Sequence, residues 1–464
     1  MTAGMPSTTR NIDGWAMLAL GAVVVALLLR LAMVTVPFER DEGGYAYVAW
    51  LWHAGGTPYV DVIDSKPPGL FIFYALVFFI SQTVAAVRLA LALWTVLTTW
   101  LMYRLGRRCF SREIGCAAAA LYALTCAAPA YFGFSANAEI FLAGFVTAAL
   151  LVLRNPDGEI TARRGAASGA LVAAAVLFKP VALADALPIA FLLMTIPAVG
   201  FAARLRAASL FAAGFAATIA LCVSFFSFAG DGSLDVFWRW SFGYGFTSYT
   251  GAFTALDRVK VFIHVLLTRN MVVRDWPVAV AVVLGGVAAI RRARAESRWL
   301  NAFPILWFVS AFIGVSASGR YTPHYFQQVI PPAALLGAIG MVGVAAWAKE
   351  RKRMAVFAAG ILVFAYPTAT QLPLAAQGPA LSRTLFGLNP FVEGEEIGRY
   401  LHERTDPGDR VYIVGSEPQF LFHAKRRNAS RFIFSSRCRA RIRWRKLGSM
   451  MFSRKCKTRR PATS

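Results

Sequence analysis

Long apolar runs separated by short polar breaks fill most of the chain, and they lack the one-sided stripe of a soluble amphipathic helix. Many approach the roughly 20 residues that a bilayer-spanning helix needs. Eleven spans are assigned: 14–37, 84–104, 114–130, 138–153, 165–178, 181–200, 207–229, 276–291, 301–318, 328–348 and 354–371. Small-residue faces such as "GAASGALVAAA" let such helices approach closely. Between the first two spans, "DEGGYAYVAWLWHAGG" reads as a helix lying in the interface, with Trp50 and Trp52 at headgroup level. The following "LFIFYALVFFI" reads as a second interfacial or re-entrant helix. After 371 the pattern changes. "NPFVEGEEIGRYLHER" reads as a capped amphipathic helix, "DPGD" as a turn and "RVYIVG" as a buried strand. The pattern predicts an all-α polytopic membrane protein carrying the start of a small C-terminal α/β domain. Its parts are a membrane domain over 1–375 with a first outer loop at 38–83, a partial α/β domain over 376–436, and a tail at 437–464.

Composition agrees with that class. Of 464 residues, 57% are hydrophobic and only 16% charged, against about a quarter charged in soluble domains. The net charge of +24 would suggest nucleic acid in a soluble protein. Here short basic loops ("RLGRRCFSR", "RLR", "RRARAESR", "KERKR") account for much of it, as the positive-inside rule requires. No stacking or groove-reading pattern accompanies them, so nucleic acid is excluded as a partner. With the N-terminus in the cytoplasm, alternation puts these loops inside. It puts 38–83, 131–137, 230–275, 319–327 and everything after 371 on the outer, periplasmic side of an inner membrane. The run at 15–36 is too long for a signal-peptide core and reads as an uncleaved anchor. Six scattered cysteines make neither a disulfide framework nor a metal motif.

The outer segments carry the candidate chemistry. Directly behind the first span, "PFERDEGGYAYVAW" sets Glu39, Arg40, Asp41 and Glu42 against hydrocarbon, where charge is costly. The same loop holds Tyr45, His53, Asp61, Asp64 and Lys66, the last before Pro67-Pro68. "YFGFSANAEIF" adds Asn137 and Glu139 at a helix mouth, and "SGRYTPHYFQQ" adds Arg320, Tyr321, His324 and Tyr325. Carboxylates, a lysine and a basic-aromatic patch thus share one compartment. The aromatic "FWRWSFGYGFTSY" in 230–275 suits a lid or an acceptor surface.

"RDEGGYAYVAW" followed by "PYVDVIDSKPPGLFIFYA" resembles the first outer loop of the C-type membrane glycosyltransferases, especially bacterial relatives of protein O-mannosyltransferases and lipid A aminoarabinose transferases. "SANAEIF", "RYTPHYFQQVIPP" and "GDRVYIVGSEPQF" are similar to later segments of the same proteins. The resemblance implies a transferase using a polyprenyl-phosphate sugar. It implies Asp41 as the catalytic carboxylate, Lys66 as a contact of the lipid phosphate, and Glu139 as a second acidic position. The "NAE" spacing is not a clean DxD, so a divalent cation (Mg or Mn) on Asp41 and Glu139 stays an open alternative.

The residues fit this chemistry on their own terms. An acceptor hydroxyl needs a general base. An oxocarbenium-like transition state gains from nearby negative charge. A departing phosphate needs positive charge, from Lys66 or Arg320. One direct displacement inverts the anomeric centre. The expected partners are a polyprenyl-phosphate sugar, an acceptor glycan, lipid or protein, and the bilayer. Catalytic candidates are Asp41, Glu42 and Glu139. Substrate-binding candidates are Arg40, Tyr45, Lys66, Asn137, Arg320, Tyr321, His324 and Tyr325.

Each has a blander reading: helix-start charges for Asp41 and Glu42, a dipole-favoured carboxylate for Glu139, a snorkelling lysine for Lys66, and an aromatic belt for Tyr321 and Tyr325. Lys179 in "LFKP" reads as a helix-end charge, with a lipid-phosphate contact as the alternative. The competing function is a transporter or flippase of a lipid-linked saccharide, which predicts mid-membrane charges and internal repeats; Lys179 and Asp185 are the main exceptions to an otherwise one-sided placement. From Arg437 the tail holds eleven Lys/Arg and no acid. On the outer side that block is unexpected, and it reads as a frameshift near Ser436, against a basic arm on anionic lipid.

Overall fold

The computed structural model describes residues 14–153, 161–195, 200–228, 234–244, 253–295, 299–348 and 353–434. The basic tail at 437–464 lies outside them. The chain opens with α1 (Gly14–Ala32), then two helices in the first outer loop, α2 (Arg40–His53) and α3 (Gly69–Phe78). The bundle continues with α4 (Val84–Cys109), α5 (Arg112–Ala127), α6 (Ala138–Leu153), α7 (Ala162–Phe178), α8 (Ala186–Thr195) and α9 (Phe201–Phe228). Between α9 and the last bundle helices stand α10 (Leu234–Trp238) and α11 (Ala255–Thr268), and the bundle closes with α12 (Met271–Ala295), α13 (Phe303–Ser316), α14 (Ile330–Trp347) and α15 (Arg353–Ala369).

Every one of the eleven expected spans falls on a helix. Five of these helices, α1, α4, α9, α12 and α14, are long and apolar enough to cross a membrane. The other six are shorter than a full bilayer crossing. Local signals set the ends. Thr83 and Ser111 accept hydrogen bonds from Ala86 and Ile114 to cap α4 and α5, and Arg107 and Arg108 close α4 at its negative end.

Small residues set the helix packing. A methyl on Gly169 of α7 would collide with the Phe211 carbonyl of α9, and one on Gly285 of α12 with the Leu336 carbonyl of α14. Those two pairs are accordingly in intimate contact. Around them α5 packs on α1, α4 and α14, and α6 packs on α4 and α7.

The first outer loop departs from its expected setting. α2 forms, but it is buried almost all round: Gly43 to Ala49 and Leu51 are covered. One side meets α3, and the other meets the C-terminal unit. Gly43 and Gly44 permit this, because Gln419 and Phe434 occupy the space side chains would fill. α3 follows the Pro67-Pro68 bend, and Gly69 lets it abut the Leu177 carbonyl of α7.

The C-terminal unit holds α16 (Leu372–Ala375), α17 (Leu381–Phe386), α18 (Gly394–Arg404), β1 (Arg410–Val411), α19 (Gln419–Ala424) and β2 (Arg427–Asn428). β1 and β2 pair in parallel as a two-stranded sheet. The expected buried strand at "RVYIVG" is corrected here. Only Arg410–Val411 pair, and Val414 is 92% exposed, because among the described residues the sheet has no third strand to cover it.

Candidate active site

Asp41 sits in the first turn of α2, half-buried, and Glu39 caps the same turn. The Glu39 carboxylate accepts hydrogen bonds from the Asp41 amide at 2.8 Å and the Glu42 amide at 3.2 Å. Burial, then the Asp41 and Glu42 charges, pushes the Glu39 carboxyl well above the usual carboxylate range. Asn137 closes this corner, donating to Ser135 at 2.8 Å and to Glu39 at 3.5 Å.

Glu139 opens α6 and forms an ion pair with Lys179, the residue that ends α7. The Lys179 ammonium lies 3.7 Å from the centroid of the Tyr325 ring. His324 is stacked on Phe132 and edge-on to Tyr325. Its Nδ1 is buried without a hydrogen-bond partner. Burial dominates and lowers its pKa to about 4, with Glu139, Lys179, Asp41 and Lys66 adding opposed charge effects. The ring is therefore neutral at pH 7. Lys66 precedes the bend into α3, and its carbonyl accepts from Tyr59 Oη at 2.7 Å. Burial raises the Tyr45 hydroxyl, with Asp41, Asp64, Glu39 and Glu139 adding to it.

Asp41, Lys66, Glu139 and Lys179 thus all lie within electrostatic reach of His324, and Asp41 and Glu139 within reach of Tyr45, although they come from distant parts of the chain. Tyr325 joins through Lys179. Other candidates are engaged elsewhere. Glu42 is fully buried, and its carboxylate accepts from both terminal nitrogens of Arg88 (one at 2.8 Å), from Tyr74 Oη at 3.2 Å and from the Ala136 amide at 2.7 Å. Arg40 points to the C-terminal unit, donating to Glu417 at 2.7 Å and Asn389 at 2.9 Å. Tyr321 packs on Phe262 of α11, and Arg320 is exposed. His53 bonds the Ala75 carbonyl at 2.9 Å and locks α2 to α3.

Two residues carry more than the sequence reading gave them. Lys179, read as a helix-end charge, is the partner of Glu139. Arg88, a lone cation inside the apolar run of α4, was assigned no role although such a residue demands a counter-charge.

A divalent cation does not fit these residues. Glu139 already faces an ammonium that would repel it. Among the described residues no three His, Cys, Asp or Glu side chains are grouped to hold a metal. Two cavities are lined by residues outside the cluster. One is bordered by Tyr131, Arg274, Asp275 and Gln371, the other by Arg30, Thr95, Thr99 and Cys126.

Residues 65–228 match the family described as dolichyl-phosphate-mannose-protein mannosyltransferase. The fold is similar to that of ArnT from Cupriavidus metallidurans bound to undecaprenyl phosphate, with a TM-score of 0.60, 17% identity, and 89% of this chain and 85% of that chain covered. A family match over about a third of the chain thus joins a likeness of fold that runs over most of it. A second similar fold is the Archaeoglobus fulgidus oligosaccharyltransferase in complex with zinc and sulfate (TM-score 0.55, 19% identity, 84% of this chain). The same organism's AglB, in complex with an inhibitory peptide and a dolichol-phosphate, scores 0.51 at 17% identity over 84% of this chain. This chain spans 55% and 58% of those two proteins. At such identities the likeness is one of fold. No curated protein sequence matches this chain.

Proposed function

We propose that this protein transfers a sugar from a polyprenyl-phosphate donor to an acceptor hydroxyl, with inversion, at the periplasmic face of the inner membrane. The observation that carries the reading is the convergence of Asp41, Lys66 and the Glu139–Lys179 pair, from distant parts of the chain, on the neutral His324 ring. The likeness of fold and the lipid phosphates named with ArnT and AglB support the donor class.

Asp41 is the half-exposed carboxylate of the cluster and takes the acceptor proton as that oxygen attacks the anomeric carbon. The bond from anomeric carbon to phosphate oxygen breaks, its electron pair leaves with the lipid phosphate, and Lys66 stabilises the charge that develops there. Glu139, oriented by Lys179, places negative charge near the oxocarbenium-like centre. Burial of the Lys179–Glu139 pair fixes both groups before substrate arrives, so little reorganisation accompanies reaction. A donor whose tail remains in the bilayer explains why the cluster sits where the loops meet the bundle.

The test is reconstitution in liposomes with undecaprenyl phosphate bearing mannose, glucose or aminoarabinose. Release of undecaprenyl phosphate with one of them, and an inverted product anomer by NMR, is expected. Translocation of the intact lipid-linked sugar without cleavage would instead make the protein a flippase. Mass spectrometry of envelope glycans and lipids from a strain lacking the gene identifies the acceptor.

A further inference from the structure

We infer that Glu417 of the C-terminal unit is a positioning residue for the first outer loop, holding Asp41 toward the site by gripping its neighbour Arg40. The inference rests on the reading of Asp41 as the base. Residues 40, 41 and 42 leave α2 about 100° apart around the helix axis. The two flanking residues are each tied to a different body. Glu42 is gripped by Arg88 of α4, and Arg40 by Glu417 and Asn389 of the C-terminal unit. Asp41 lies between them, the one half-exposed carboxylate of a turn whose other two, Glu39 and Glu42, are buried. A turn held from both sides cannot rotate about its axis. Rotation by one residue would swap Asp41 for Glu42 or Arg40 at the cluster.

Glu417 is itself fixed. Its second oxygen accepts from Gln419 Nε2 at 2.8 Å, and Gln419 is fully buried against the bare backbone of Gly43. The same unit also reaches the loop elsewhere. Asn428 N donates to Tyr47 Oη at 2.7 Å, Arg427 to the Ala54 carbonyl at 3.0 Å, and Arg431 to the Tyr59 carbonyl at 3.2 Å. Ile63 pairs with the backbone at Arg431–Phe432. These contacts carry packing and would survive loss of one surface charge. The Arg40–Glu417 contact adds the directional element beside Asp41. Side-chain exposures of 39% and 14% leave it open enough to exchange partners without unfolding the unit.

The experiment is Glu417→Gln, Arg40→Glu and the charge-swapped pair Arg40→Glu/Glu417→Arg, in the full chain. Hydrogen exchange of the amides 39–45 reads the turn directly and needs no substrate. Turnover is followed as release of undecaprenyl phosphate from undecaprenyl-phosphate mannose. Glu417→Gln should speed exchange in 39–45 and lower kcat about tenfold, with KM for the donor and melting temperature unchanged, as a small misplacement of a reacting group predicts. The swapped pair should recover both protection and kcat. Wild-type exchange in Glu417→Gln, or a swapped pair no better than Arg40→Glu alone, overturns the inference; the second result returns Arg40 to the role of substrate ligand. Failure of the base assignment is separate: Asp41→Asn would then turn over normally whatever Glu417 does.

Discussion

Two buried ion pairs stand where the loops meet the bundle, and they differ in how fully they are satisfied. The Glu42 carboxylate receives two arginine nitrogens, a tyrosine hydroxyl and a backbone amide, and Arg88 also reaches the carbonyls of Val36 and Pro37. Three directional donors saturate Oε1 and one holds Oε2, and the fully buried group presents no face to a substrate. The Glu139 carboxylate is paired with one ammonium, a point charge on a flexible stem that has an aromatic face on its other side. The first pair clamps the first outer loop to α4 and to the segment before α6. The second keeps charge available beside His324 and Lys66. Burial alone does not separate them, since both carboxylates are essentially fully covered. The number and direction of the donors do.

Breaking the clamp should have the largest effect. Arg88→Met strands a buried carboxylate and should cost about 3–5 kcal/mol of stability. Thermal unfolding in detergent checks it; a melting temperature equal to wild type would show that the clamp holds nothing. Glu139→Gln should invert the balance, lowering kcat about 10- to 100-fold through lost transition-state charge stabilisation while the protein still folds. If Glu139→Gln behaves like Arg88→Met, with protein lost and the surviving fraction fully active, the contrast between the pairs disappears.

Much of this was legible in the chain. The eleven apolar runs predict eleven helices because a bilayer imposes length and hydropathy on each separately. The charged block at Glu39–Glu42 and the Lys66-Pro67-Pro68 bend stand out because charge beside hydrocarbon is unusual. Pairings across distance were not legible. Asp41 and Glu42 are adjacent and chemically alike, and only Arg88, 46 residues away, separates their fates. Lys179 and Glu139 lie 40 apart and meet because α7 returns beside α6. Val414 reads as strand core because β-branched apolar residues usually are, yet a two-stranded sheet leaves it bare.

Smaller effects sharpen the same contrast. Lys66→Met should raise KM for the lipid donor about tenfold, the cost of one charged hydrogen bond, with little change in stability. Steady-state kinetics against undecaprenyl-phosphate mannose check it, and an unchanged KM would remove Lys66 from the phosphate. His324 supplies the smallest and most specific signal. Its pKa falls from 6.5 to about 4 on folding, so below its unfolded pKa the unfolded chain binds more protons. Its contribution to stability is complete above pH 6.5 and is lost as pH falls toward 4. His324→Gln should flatten part of the acid loss measured by unfolding between those limits. His423, also lowered to about 4, retains the remainder. An unaltered acid slope would mean that His324 is not held neutral.

The measurement closest to the centre of the account compares wild-type protein with Asp41→Asn in liposomes, counting undecaprenyl phosphate released from the donor that the wild type cleaves. Asparagine keeps the shape and removes the base, so turnover should fall about 10²- to 10⁴-fold with the melting temperature unchanged. An Asp41→Asn protein that releases lipid phosphate at the wild-type rate would contradict the account.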